Sequence, residues 1–122
     1  MEGNTVNASA ARAPANSQFV PRAFDYGRTD PDQGSCMIGG RVYTGTRLPF
    51  LAGRYVFADY EMGELYCITL AQQGARWVGT DHRKLGDVNR CVSIDADAQG
   101  ELYLCSGEKA ADGGTVYTVA PR

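Results

Sequence analysis

Between residues 37 and 119 the chain reads as short runs of aliphatic, aromatic and β-branched residues, broken at regular intervals by glycine and acidic clusters. The extended candidates are 37–44, 54–59, 64–70, 76–79, 91–95, 101–105 and 115–119. Gly39-Gly40, Met62-Gly63, Gln73-Gly74, Gln99-Gly100 and Gly113-Gly114 supply the punctuation. An amphipathic helix needs apolar residues at i, i+3, i+4 and i+7 over about a dozen positions. No window satisfies this without a Gly or Pro inside it. The class is all-β, and seven short strands with Gly-bearing turns predict a sandwich, a barrel or propeller blades. Residues 1–18 are rich in Ala, Asn and Ser, with Met1 and Val6 as their large apolar side chains. Such a segment buries too little surface to offset its ordering entropy and is expected to be an irregular loop. The domain is read as 19–122.

Internal similarity selects among the β architectures. Gly63-Glu64-Leu65-Tyr66 recurs as Gly100-Glu101-Leu102-Tyr103, and Gly39-Gly40-Arg41-Val42-Tyr43-Thr44 as Gly113-Gly114-Thr115-Val116-Tyr117-Thr118. A second register matches whole hairpins: Gly53-Arg54-Tyr55-Val56-Phe57-Ala58 with Gly100-Glu101-Leu102-Tyr103-Leu104-Cys105, and Gly63-Glu64-Leu65-Tyr66 with Gly114-Thr115-Val116-Tyr117. A period of about 40–50 residues is that of propeller blades, and about two of them are expected here. The last hairpin can be given a register. With a loop over residues 96–100, Val92 faces Leu104, Ile94 faces Leu102, and Cys91 faces Cys105 as a possible disulfide. Two blades do not close a propeller, which uses about 4–8. The isolated chain is expected to need further blades or to self-associate through its exposed edges.

Charge changes the picture by exclusion. Twelve Lys and Arg against 14 Asp and Glu leave a net charge of −2, which gives no basic footprint for nucleic acid. The apolar stretch 65–71 is far too short to span a bilayer. The start, Met1-Glu2-Gly3-Asn4, has neither the basic nor the apolar region of a signal peptide.

Candidate chemistry is sparse. The single histidine, His82, lies in the polar run Thr80-Asp81-His82-Arg83-Lys84 and reads as a solvated loop residue. Asp95-Ala96-Asp97-Ala98-Gln99-Gly100 opens like an EF-hand calcium loop, but position twelve is Ser106 rather than the bidentate Glu that the site needs. It reads as a hairpin turn in which Asp bonds its own backbone and Gly supplies a positive φ. Cys36, Cys67, Cys91 and Cys105 contain no C-x-x-C pair, so zinc-ribbon spacing is absent. Disulfides and buried free thiols both remain open for them. Asn7-Ala8-Ser9 is a glycosylation sequon of a kind common by chance. No metal site and no catalytic group is assigned to this chain.

The order of the runs resembles a known family. It is carried by Met1-Glu2-Gly3, by Val20-Pro21-Arg22-Ala23-Phe24-Asp25-Tyr26, and by Gly34-Ser35-Cys36-Met37-Ile38-Gly39-Gly40-Arg41-Val42-Tyr43-Thr44-Gly45. Leu48-Pro49-Phe50-Leu51-Ala52-Gly53-Arg54-Tyr55-Val56-Phe57-Ala58-Asp59 follows, then the two Leu-Tyr hairpins and Gly114-Thr115-Val116-Tyr117. Together they resemble the C-terminal part of the glucose/sorbosone dehydrogenases, the soluble quinoprotein sugar dehydrogenases, whose module is shared by hedgehog-interacting-protein-like ectodomains.

The resemblance implies a six-bladed β-propeller whose catalytic members bind pyrroloquinoline quinone (PQQ) and calcium. They oxidise sugars with a histidine base in a periplasmic or extracellular setting. That histidine, an Arg-Asn pair and the calcium ligands belong to blades preceding the matched stretch. The family's arginine-bearing element corresponds to Val88-Asn89-Arg90-Cys91-Val92-Ser93, where only Arg90 can stand in as a cofactor contact. No cofactor is expected on this chain alone, and no activity. The alternative implied by the same resemblance is a non-catalytic, secreted propeller that binds a protein or glycan.

Overall fold

The computed structural model describes residues 23–25, 36–110 and 113–121. Seven strands form two antiparallel sheets: β1 (Met37–Val42), β2 (Arg54–Asp59), β3 (Glu64–Gln73) and β4 (Arg76–Asp87) in the first, and β5 (Cys91–Ala96), β6 (Leu102–Ala110) and β7 (Gly113–Thr118) in the second. Each sheet is a simple meander in chain order. β2 and β6 are therefore each the second strand of their sheet, and β3 and β7 the third, as the whole-hairpin repeat pairs them. Neither sheet closes on itself. The expectation for residues 1–18 lies outside the described residues, and among those described no helix is long and apolar enough to cross a membrane.

The sequence alternation decides which side chains face the core. In β2, Val56 and Ala58 point toward the second sheet while Tyr55 and Phe57 point away. In β3, Leu65 and Cys67 take the inner face and Tyr66, Ile68 and Leu70 the outer. The inner residues meet Cys91, Ile94, Leu102 and Leu104, and the β1–β2 loop closes the core with Tyr43, Leu48 and Leu51. The sheets approach most closely where β1 meets β5. Gly39-Gly40 lies inside β1 rather than in a turn, and the register slips between Ile38 and Arg41. A Cβ on Gly40 would run into the Val56 carbonyl oxygen and come within 3.3 Å of Ile94 Cδ1.

Two sequence expectations are corrected. Strand β4 does not stop at Gly79 but continues through Asp81, His82, Arg83 and Lys84 to Asp87. Its polarity is that of an edge strand, where charges discourage pairing with another chain. The β5–β6 loop also closes one residue later than expected, over residues 97–101, so every pair shifts by two. Ile94 faces Leu104 and Ala96 faces Leu102. A shift of two keeps each side chain on its face, because the strand period is two. A bulge at Val92 then places Cys91 opposite Ser106 and Cys105 opposite Ser93. Cys91 and Cys105 are not a direct cross-strand pair, and both are thiols here.

This register has a measurable consequence. Ile94→Ala is expected to cost about 2–5 kcal/mol in urea unfolding, the range for truncating a buried aliphatic side chain. Val92→Ala, at a position 51% exposed, is expected to stay within about 0.5 kcal/mol of the unmodified chain. Equal costs at the two positions would restore the expected pairing.

Candidate functional site

Alternation gives the first sheet a second apolar face, and the candidate site is built on it. Phe57, Tyr66 and Ile68 are buried there, with Phe24, Tyr55 and Leu70 packed around them. Phe24 reaches this face because the Gly79 N–H donates to the Ala23 carbonyl at 2.7 Å. Gly79 also leaves the room: a Cβ there would sit 2.8 Å from Ile68 Cδ1 and 2.9 Å from Phe24 Cβ. The result is a concavity of about 360 Å³ lined by Ala23, Phe24, Met37, Tyr55, Phe57, Ile68 and Leu70. Its wall is almost wholly apolar. The Tyr55 hydroxyl is turned away into a bond from the Gly40 N–H at 2.8 Å.

His82 belongs to this cluster and not to a solvated loop. Its ring lies 4.7 Å from that of Tyr66, 5.2 Å from Phe24 and 5.8 Å from Phe57. Nε2 is shut off from solvent and has no hydrogen-bond partner among the described residues. Burial lowers the imidazole pKa, so the neutral ring is favoured. A general base must come within hydrogen-bond reach of the proton it takes; an enclosed Nε2 is placed for packing instead. Beside it, burial and then the bond to Glu64 push the Tyr66 phenol up to about 12. Glu64 also accepts from Lys84 Nζ at 2.5 Å, and Lys84 pairs with Asp87 at 2.8 Å.

Several other titratable groups are held in structural bonds. The Glu101 carboxylate accepts from the Tyr43 hydroxyl at 2.7 Å and from the N–H groups of Thr46 and Arg47 at 2.9 and 3.1 Å. Burial opposes its charge, but those donors prevail and its pKa is lowered. Asp59 Oδ1 accepts from the N–H groups of Glu61 and Met62, closing the β2–β3 turn, and its Oδ2 accepts from the Cys36 N–H. Asp97 does the same for the β5–β6 turn: its Oδ1 accepts from the N–H groups of Gln99 and Glu101, with Gly100 at φ +81°. The hairpin-turn reading thus holds for residues 97–100, whereas Asp95 and Ala96 belong to β5 and pair with Tyr103 and Leu102. Cys67 and Cys91 are buried, and burial raises both thiols. Arg54 Nη1 approaches Cys67 Sγ at 3.9 Å and is itself paired with Asp81 at 2.7 Å.

Arg90 lies in the β4–β5 turn with φ +47°, and its carbonyl accepts from the Gly107 N–H at 2.9 Å. Neighbouring Asn89 gives its carbonyl to Ser106 Oγ at 2.5 Å. Arg90 is not among the residues that line the aromatic concavity; it lies in the turn that joins the two sheets. One arginine at a turn does not suffice for a tricarboxylate quinone. Among the described residues no three His, Cys, Asp or Glu side chains converge as a metal would require. The donor set of the described residues does not by itself fit PQQ with calcium.

The concavity was not singled out from the sequence, although its signal was present. Tyr55, Phe57, Tyr66, Ile68 and Leu70 keep strict period-two spacing on the face opposite the core. No family model, curated protein or solved structure matches the chain.

Because the chain has one histidine, its pH response between about 5.5 and 7.5 is attributable. A base whose pKa is lowered on folding binds its proton more readily when unfolded. Stability is therefore full above the ordinary histidine value of about 6.5 and falls as pH drops below it. Thermal unfolding across this range is expected to show that decline, and His82→Phe, which retains a ring for stacking, should flatten it. A parallel decline in both proteins would refute the assignment. Thiol labelling of the folded chain is expected to modify exposed Cys36 first, and Cys67 and Cys91 only on unfolding.

Proposed function

We propose that this chain contributes two neighbouring blades to a larger β-propeller of the glucose/sorbosone dehydrogenase kind. In that reading, sugar oxidation with PQQ and calcium is carried by other blades of the parent. The observation that supports it is that two consecutive meanders touch through their first strands, the first of them apolar on both faces and the second exposing apolar side chains among polar ones on its outer side. A meander with one solvated face alternates apolar and polar residues. Here the first sheet is apolar on both faces, with Phe57, Tyr66 and Ile68 of the outer one buried and Phe24 packed against them. The second sheet exposes Val92, Tyr103 and Val116 at 51, 37 and 66%. Sheets that touch through their first strands and carry exposed apolar side chains beyond the shared core have the form of adjacent blades.

Within this reading the division of labour is physical. The two sheets supply packing area, and Arg90 is the residue that would approach a quinone held by adjacent blades. The base, the metal and the quinone would come from elsewhere, and with them the preorganised electrostatics that make hydride transfer fast. The chain by itself is expected to bind no sugar productively.

The gene locus provides the test. An open frame continuing upstream of Met1 through further four-stranded repeats, with a histidine base and an Arg-Asn pair, is the expected result. An in-frame stop directly upstream would overturn the proposal. On the protein itself, the purified chain with added PQQ and calcium is expected to reduce no dye in the presence of aldoses or sorbosone. Sugar-dependent turnover abolished by His82→Ala would also overturn it.

A further inference from the structure

We infer that β7 is a pairing edge, and that its occupant in the isolated chain is β7 of a second copy, joined antiparallel about a two-fold axis. The first sheet has four strands and the second has three, so the place that β4 occupies beside β3 has no counterpart beside β7 among the described residues. An edge strand presents a row of backbone N–H and C=O groups, and proteins ordinarily guard it with charge, proline or a bulge. β4 is guarded in this way. It carries Arg76, Asp81, Arg83, Lys84 and Asp87, its ladder with β3 slips twice, and Asp81 takes φ +53°. The inner edges are occupied, since β1 lies against β5 and Arg41 pairs with Asp95 across them at 2.6 Å. Gly113–Thr118 carries no charge and no proline and exposes Val116 and Tyr117, and its ladder with β6 slips only once, between Ser106 and Ala110, at the hairpin end.

Symmetry makes the second copy a fitting occupant. Two antiparallel strands in one sheet are related by an axis perpendicular to it, so residues of one face pair with one another. β7 lies against β6 with Tyr117 opposite Leu104 and Val116 opposite Cys105, which places Val116 on the outward face. An axis at Val116 pairs it with its own copy and Thr115 with Tyr117. An axis at Tyr117 pairs Tyr117 with its copy and Val116 with Thr118. The central pairs in both registers are neutral and join β-branched or aromatic side chains, which stabilise cross-strand contacts, while Gly114 falls opposite Thr118 or Ala120 further out. Like-charge repulsion, the usual obstacle to self-pairing, is absent. The edge acts in this way whether or not further blades cover the outer faces.

The experiment is a charge exchange at one exposed position, read by light scattering across a concentration series of the full chain. The unmodified chain is expected to show a dimer. Val116→Lys and Val116→Glu should each weaken it by about tenfold or more in dissociation constant, since like charges meet across the axis. An equimolar mixture of the two variants should restore association, which also shows that both are folded. A chain that is monomeric throughout, or a dimer indifferent to charge at position 116, would overturn the inference. If Leu70→Lys abolishes association while the position-116 variants do not, the contact is the outer concavity instead. That outcome rejects the edge and leaves the propeller reading, which the gene locus decides separately.

Discussion

The buried carboxylate of Glu101 is the joint on which the two-sheet arrangement depends. It sits at the start of β6 and gathers three donors from the β1–β2 loop, so a turn of the second sheet is bonded to a loop of the first. Tyr43 makes the joint rigid, because its hydroxyl donates to Glu101 and accepts from the Leu48 N–H at 2.9 Å. The same loop carries Leu48 and Leu51 into the core. A buried charge without such donors would be strongly unfavourable; with them it specifies how the sheets sit. The packing around it leaves no slack. A Cβ on Gly45 would lie 2.6 Å from the Glu101 carboxylate, and one on Gly100 would meet Thr44 Oγ1. Gly100 is also at φ +81°, where a side chain is strained whatever the space.

Glu64 shows how far position governs the role of a residue. It occupies the same Gly-Glu-Leu-Tyr tetrapeptide as Glu101, after a glycine that is again at positive φ. Yet Glu64 begins a strand and pairs with Lys84 near the surface, whereas Glu101 ends a turn and is enclosed by a loop from the other sheet. Local sequence sets the turn. What packs against it decides whether the carboxylate is an anchor or a surface ion pair.

The strands and their order were legible because punctuation and alternation are local properties. Gly63, Gly74 and Gly100 take positive φ at three hairpin turns, and Asp97 closes its turn with bonds within its own neighbourhood. Three features were not legible. His82 looks solvated because its sequence neighbours are polar, but an edge strand is polar on its exposed side while its other side packs on aromatic rings. The β5–β6 register turned on which of two adjacent residues, Ala96 or Asp97, opens the loop, and only the side-chain bonds of Asp97 decide that. The Glu101 joint spans more than fifty residues, and nothing in its own segment announces the partners.

The distribution of polar groups bears on what these sheets can do. Catalysis by a carboxylate or imidazole requires free lone pairs and access to a substrate. Asp59, Asp97 and Glu101 have theirs directed at backbone N–H groups within turns and loops, and the Nε2 of His82 is enclosed. The polar chemistry of these four groups is committed to shaping the two sheets. The exposed side chains of Val92, Tyr103 and Val116 and the uncharged β7 edge, by contrast, are surface whose burial would be favourable. The carboxylates of Asp59, Asp97 and Glu101 fix the internal geometry of the two sheets, because each holds a turn or loop in the one conformation that presents its N–H groups.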